Sequence, residues 1–119
     1  MRYLLLIYGN ELAAMESTEE DMQVEMEAYN AFTKEVSDAG AMLGGEALQP
    51  SSTATTVRVR NGQTASTDGP FAETKEQLGG YHLIECKDLD EALSIARRIP
   101  TLPYGGVVEV RPLMSEQAG

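Results

Sequence analysis

The chain opens with an apolar segment, residues 2–8, that predicts a buried strand. Its odd positions (Tyr3, Leu5, Ile7) would lie on one face and its even positions (Leu4, Leu6, Tyr8) on the other. Because both faces are apolar, this strand requires cover on both sides. Gly9 and Asn10 then end it.

Apolar residues at steps of three and four predict a long amphipathic helix over residues 18–39. The stripe consists of Met22, Met26, Tyr29, Phe32, Val36 and Ala39. Ser17, with Glu20 three residues later, predicts a capping box at the start of this helix, and Gly40 suits its end. Acidic residues are concentrated over 16–27, where a solvated helix face is the expected role.

The rest of the chain alternates between strand patterns and turns, with one further helix. Strands are predicted over 41–48, 55–60, 63–67, 80–86 and 106–112. Asn61-Gly62 is a strong hairpin signal between the third and fourth strands. Asp88 and Glu91 predict the cap of a second helix that Pro100 stops. Residues 68–71 interrupt regular structure, and 72–78 is expected to form at most a short helical turn.

The predicted order is β-α-β, a hairpin insertion, then β-α-β, which indicates an α+β fold of the ferredoxin-like type. This arrangement has an antiparallel sheet with two helices on one face. Since two helices cover only one face, the apolar residues on the other face favour a homodimer in which a second copy covers them. We expect one domain over residues 2–113 and a flexible tail over 114–119.

Composition excludes several classes of function. The chain has 119 residues and a net charge of −10, and no Lys or Arg occurs between Tyr3 and Thr33. This argues against binding to nucleic acid or to an anionic membrane surface. One cysteine, Cys86, and one histidine, His82, argue against an internal disulfide and against a metal site. We expect a soluble cytoplasmic protein without a cofactor.

One long motif carries a family resemblance. The segment over residues 68–81, Asp-Gly-Pro-Phe-Ala-Glu-Thr-Lys-Glu-Gln-Leu-Gly-Gly-Tyr, resembles the signature of the DGPF proteins, a branch of the YCII-related family. The opening strand, residues 44–48 and residues 108–112 agree with it. The resemblance implies a ferredoxin-like subunit that pairs into a dimeric α/β barrel. It also implies a genomic association with sigma-factor-like regulators.

The wider YCII group is associated with a paired histidine and aspartate, and this chain departs from that pattern. The family histidine falls near Tyr29 when the first helix is aligned through Gly40. The family aspartate falls near Pro100, where this chain has no Asp. The dyad therefore does not carry over.

Carboxylates in and around the motif are the candidate chemistry. Asp68 and Glu73 are candidate catalytic residues, because several carboxylates in one cleft can shift one another's pKa and form an acid/base pair. Tyr29 is the third candidate, because its phenol can present a hydroxyl group to a pocket even though core packing is its default role. Glu46, Phe71, Lys75 and Glu109 are the candidate ligand-binding residues. We expect the strands that carry Glu46 and Glu109 to bring them to the same end of the sheet.

Each candidate also has a structural explanation. Asp68 can anchor the turn before Gly69, Phe71 can pack under its loop, and Lys75 can pair with a nearby carboxylate. For His82 and Cys86 the structural role is the favoured one. Three functions remain open: a small-molecule enzyme, a noncatalytic ligand-binding or sensing dimer, and an interaction module for a sigma-factor-type transcription regulator.

Overall fold

The computed structural model describes residues 1–114, which form six strands and three helices. The strands are β1 (Arg2–Gly9), β2 (Met42–Ala47), β3 (Thr55–Arg60), β4 (Gln63–Asp68), β5 (Gln77–Glu85) and β6 (Val107–Pro112). The helices are α1 (Glu11–Met15), α2 (Glu19–Asp38) and α3 (Leu89–Ala96). Short 3-10 turns occur at Ser51–Thr53 and Leu102–Tyr104.

Four strands make one antiparallel sheet in the order β2-β5-β1-β6. Helix α2 connects β1 to β2, and α3 connects β5 to β6. The mixed α+β fold is therefore confirmed, and the strand order is that of a ferredoxin-like chain. β3 and β4 form a separate two-stranded sheet, and the predicted turn between them is confirmed by positive φ angles at Asn61 (53°) and Gly62 (78°).

The core lies between the helices and one face of the four-stranded sheet. Strand β1 contributes its odd positions, as its alternation predicts, and α2 and α3 pack on them. The buried set includes Tyr3, Leu5, Ile7, Phe32, Val36, Ile84, Ala92, Ile95 and Ile99. Cys86 is buried, as predicted.

The opposite face of the sheet has no helix on it among the described residues. The pairing register places the even positions of β1 on this helix-free face beside the odd positions of β5. Its apolar members are Leu4, Leu6, Tyr8, Leu78, Tyr81, Leu83 and Val107. Leu4, Leu6 and Tyr8 are only partly buried.

The molecule is flat and extended. Its radius of gyration is 16.4 Å and its extents are 48 × 46 × 18 Å, whereas a compact chain of this length has a radius of gyration of about 13.5 Å. The open sheet face and the separate hairpin account for this shape.

The ends of several elements differ from the sequence prediction. The capping box of α2 uses Thr18 and Asp21 rather than Ser17 and Glu20: the Thr18 hydroxyl accepts from the Asp21 N–H at 3.0 Å. Residues 72–76 form no helical turn, and β5 begins earlier than predicted, because a register shift lets Gln77 and Leu78 pair with β1.

Two local features that shape the surface were not predicted. Helix α1 was missed; the Asn10 side chain caps it by accepting from the Ala13 N–H at 3.1 Å. Met22 and Met26 continue the apolar stripe of α2 but remain exposed, because this end of the helix runs beyond the core. The predicted tail lies outside the described residues, apart from Met114. In the described range, no helix is long and apolar enough to cross a membrane.

Candidate functional site

A cavity of about 640 Å³ lies on the helix side of the sheet, at the end where α1 and α2 approach β2 and β5. Its size is typical of small-molecule sites. The residues that give it its chemistry and shape are Ile7, Tyr29, Met42, Gly45, His82 and Thr101. We call it the His82 cavity.

His82 lies in the wall of this cavity on β5, opposite Leu5 of β1 and Gly45 of β2. Its imidazole packs between aromatic rings of α2, with centroid distances of 5.6 Å to Phe32 and 6.3 Å to Tyr29. Burial lowers the pKa of His82, because desolvation penalises the charged imidazolium. The side chain is therefore a neutral imidazole at pH 7, with one nitrogen able to accept a proton.

Neither ring nitrogen of His82 makes a hydrogen bond to any residue between 1 and 114. The ring contacts of His82 are those with Tyr29 and Phe32. Every buried side-chain nitrogen or oxygen in this range has a hydrogen-bond partner. Since the ring nitrogens of His82 have none, they are not buried. The imidazole is therefore available to a molecule in the cavity.

Gly45 makes room for the histidine. A Cβ at residue 45 would lie 2.6 Å from His82 Nδ1 and 2.6 Å from the Tyr81 carbonyl oxygen. Gly80 is also tightly packed, since its Cβ would lie 2.9 Å from the Glu46 carbonyl oxygen. The glycines on β2 and β5 thus let the two backbones and the imidazole approach closely.

Tyr29 contributes a hydroxyl group to the same cavity. Its oxygen lies 2.5 Å from Thr101 Oγ1, and this bond joins α2 to the segment after α3. Burial raises the pKa of Tyr29, the Thr101 bond opposes this, and Glu25 adds to it. The phenol therefore stays protonated at neutral pH and serves as a hydrogen-bonding group.

The rim of the cavity is held by Glu11, the first residue of α1. Its carboxylate accepts from the Ser51 N–H at 2.7 Å and from the Ser51 hydroxyl. Its own N–H donates to Gln77 Oε1 at 2.9 Å. These bonds connect α1 to β5 and to the 3-10 turn before the hairpin.

The structure brings two of the seven sequence candidates to the His82 cavity. Tyr29 borders it from α2 and Glu46 from β2. The register puts Glu46 opposite Tyr81, on the helix-free face, so Glu46 borders the cavity through its backbone.

The two halves of the motif lie in different places. Gln77, Gly79, Gly80 and Tyr81, from its second half, border the His82 cavity, whereas its first half lies elsewhere. Phe71 and Glu73 border a second cavity of about 980 Å³, beside Tyr8 and the base of the hairpin. Asp68 is exposed at the end of β4, opposite Thr55, and its carboxylate accepts no hydrogen bond from the described part of the chain. The positive φ of Gly69, 98°, confirms the unusual turn there.

Two structural explanations fail on geometry. Phe71 does not pack under its loop; its side chain is 81% exposed. Lys75 is exposed and makes no ion pair within residues 1–114. Glu46 and Glu109 do lie at the same end of the sheet, because the register aligns them in one row through Tyr81 and Leu6. They occupy the two edge strands, however, with β5 and β1 between them, and Glu109 accepts from Arg111 Nε at 3.0 Å.

Sequence reasoning gave His82 a structural role and did not select Thr101 or Glu11. The alternation of β5 did predict that His82 shares a face with the core residue Ile84, which is confirmed. His82 lies opposite Gly45 because the register of β2 shifts between Met42 and Gly44. The local sequence pattern does not reveal this shift. Within the described range no three His, Cys, Asp or Glu side chains are grouped to hold a metal ion.

Comparison with known proteins places this geometry in a family context. The model of the YCII-related domain matches residues 1–117. An uncharacterized protein of Rhizobium meliloti (strain 1021) is 42% identical over all of this chain and 97% of its own length.

Among solved structures, this chain is similar in backbone structure to 5-chloro-2-hydroxyhydroquinone dehydrochlorinase from Burkholderia phenoliruptrix AC1100, in complex with 2,5-dihydroxybenzoquinone. It has 17% identity, a TM-score of 0.44 and 97% coverage of both chains. Nothing about the ligand of the present chain follows from that likeness.

Proposed function

We propose that this chain, which belongs to the YCII-related family, is the subunit of a homodimeric enzyme that removes a proton from a small molecule bound in the His82 cavity. Within the family we assign it to the DGPF branch, because residues 68–81 carry that motif without interruption.

The observation that carries the proposal is a neutral, accessible imidazole in the wall of a cavity of suitable size. Burial lowers the pKa of His82, and a general base is most effective when its unprotonated form is present at the working pH. The neighbouring Tyr29 hydroxyl supplies a second polar contact that can orient a ligand.

The residues that line the cavity indicate which class of ligand can bind there. Its wall combines apolar side chains such as Ile7 and Met42 with the exposed backbone of glycines. The Glu11 carboxylate lies at the rim, and its oxygens already accept hydrogen bonds from the Ser51 N–H and hydroxyl. Among residues 1–114, no Lys or Arg borders the cavity, so this part of the chain supplies no cation there. A neutral, compact molecule with one or two hydrogen-bonding groups fits this environment.

The dimer is proposed from the helix-free face. Leu4 and Leu6 lie at the centre of this face on β1, beside Leu83 of β5. A contiguous apolar sheet face is a typical subunit interface, and two such faces stacked together form a dimeric α/β barrel. We expect an interface on the order of 2,000 Å², as in obligate dimers.

Noncatalytic binding is the alternative function, and one observation favours it. A catalytic histidine is usually oriented by a partner on its second nitrogen, and the described residues provide none for His82. No described contact favours the third candidate, a module for a sigma-factor-type regulator.

Proton NMR of the imidazole separates these functions, because His82 is the single histidine and its ring signals need no further assignment. The probes are neutral single-ring compounds that carry hydroxyl or carbonyl groups. Compounds that enter the cavity shift the His82 signals in a saturable way. Tyr29→Phe should weaken this binding, whereas Tyr104→Phe, at an exposed tyrosine outside the cavity, should not.

Catalysis is tested by hydrogen-deuterium exchange at an acidic C–H of a bound compound in D2O. The wild type should accelerate exchange and His82→Gln should not, while both bind the compound. Binding without exchange in either protein would establish the noncatalytic alternative. Failure of every compound to shift the His82 signals would contradict the proposed cavity function.

A further inference from the structure

The first turns of α2 carry an apolar stripe that no described residue covers. Met22 and Met26 are 50% and 66% exposed, although they share a helix face with Tyr29 and with buried Phe32. Helix α1 carries two further exposed apolar side chains. We call this set, Leu12, Met15, Met22 and Met26, the methionine patch.

The helices that carry the methionine patch also border the His82 cavity, through Ala14 of α1 and Tyr29 of α2. Met26 lies one helical turn before Tyr29 on α2. A partner that covers Met26 therefore also approaches this border of the cavity.

The hairpin of β3 and β4, which we call the arm, is the second uncovered element. Its strands pair with each other and not with the four-stranded sheet. Val57 and Val59 lie on one face of the arm and are each 67% exposed. Because an isolated two-stranded hairpin is at best marginally stable in water, this face requires a partner.

The opposite charges of the arm and of helices α1 and α2 favour a second copy of this chain as the partner. The arm carries Arg58 and Arg60, and its one acidic residue, Asp68, lies at its base. The methionine patch lies in the opposite environment, since no Lys or Arg occurs between Tyr3 and Thr33. The acidic residues there are Glu11, Glu16, Glu19, Glu20, Asp21, Glu25 and Glu27.

Opposite charges of this kind guide association and set its register. Each copy of the chain carries both an arm and a patch, so two copies can exchange identical contacts around a two-fold axis. The six-residue strands of the arm are about 20 Å long, which is sufficient to cross the exposed turns of α1 and α2.

We infer that the arm of one copy docks on the methionine patch of a second copy, with Val57 and Val59 against the methionines, and that the partner copy thereby approaches the border of the His82 cavity at α1 and α2. Because the arginines alternate with the valines, they lie on the opposite face of the arm, where they add the positive charge that favours its approach to the acidic first half of α2. The inference does not depend on what chemistry His82 performs.

Engineered disulfide formation tests the contact directly. The chain carries Val57→Cys on the arm and Met22→Cys on the patch, in a Cys86→Ala background that removes the natural thiol. It is treated with oxidised glutathione and run on a nonreducing gel. The matched control pairs Val57→Cys with Lys34→Cys, at an exposed position on the same helix but away from the patch.

Docking on a second copy predicts a covalent dimer for the arm–patch pair and several-fold less for the control. Added Arg58→Glu and Arg60→Glu should lower the dimer yield, as should high salt. A disulfide confined to the monomer would show that the arm folds onto its own patch, and free thiols would show no contact. Either result overturns the inference.

A second measurement avoids engineered cysteines. The sequence contains no tryptophan, so Val59→Trp places a single fluorophore on the arm. Docking predicts blue-shifted emission that turns red when Arg58 and Arg60 are changed to Glu. Red emission in both proteins would contradict docking, while an unchanged NMR titration of His82 would leave the proposed function intact.

Discussion

Alanine at residue 45 is the most informative single substitution in the His82 cavity. The added Cβ would meet His82 Nδ1 and the Tyr81 carbonyl oxygen, each at 2.6 Å. The carbonyl belongs to the backbone of β5 and cannot rotate away. The imidazole is restrained by Phe32 and Tyr29, so strand β2 or the ring must move.

Such overpacking typically costs about 1–3 kcal/mol, and we expect Gly45→Ala to lower the free energy of unfolding by that amount. Gly44→Ala is the matched control on the same strand. A Cβ at residue 44 meets nothing within 4 Å, and φ there lies outside the left-handed region. A compatible Gly→Ala change is neutral or stabilising by up to about 1 kcal/mol.

Urea unfolding followed by circular dichroism measures both variants against the wild type. We predict that Gly45→Ala is the less stable by at least about 1 kcal/mol and that its histidine NMR signals move, whereas those of Gly44→Ala do not. Equal stabilities with unchanged His82 signals in both variants would refute the close packing of β2 against His82.

Three further outcomes follow from other contacts. Thr18→Ala should lower the free energy of unfolding by about 1 kcal/mol, because the α2 capping box is lost; an unchanged urea midpoint would contradict that cap. Leu6→Glu, on the helix-free face, should convert the proposed dimer into a monomer by light scattering, and a retained dimer would place the interface elsewhere. Wild-type stability should fall as the pH drops from 7.5 through 6.5, because the unfolded chain protonates His82 before the folded chain does; His82→Gln should lack this part of the pH dependence.

The fold could be predicted from the sequence because its signals are local. The alternation in β1 separates Tyr3, Leu5 and Ile7 from the helix-free side, and Asn61-Gly62 specifies the hairpin turn. The cap of α3 is equally local, since Asp88 accepts from the Glu91 N–H at 3.0 Å.

The site could not be predicted in the same way because it depends on contacts between distant residues. His82 meets Gly45 through strand pairing and Tyr29 through the packing of α2. The motif over residues 68–81 was the most conspicuous local feature, yet the structure places its candidate residues Asp68 and Glu73 outside the His82 cavity, and only its second half borders that cavity. Tyr29 was identified because it falls near the histidine position of the family and its phenol can present a hydroxyl group to a pocket.

The central claim is that His82 is held neutral and accessible in its cavity, and an NMR pH titration of its imidazole measures this directly. The account predicts a single titration with a midpoint below the ordinary value of 6.5 in the folded protein. The midpoint should return to about 6.5 in urea. A folded-state midpoint at or above 6.5 would contradict the account, because it would show that the environment stabilises the charged imidazolium.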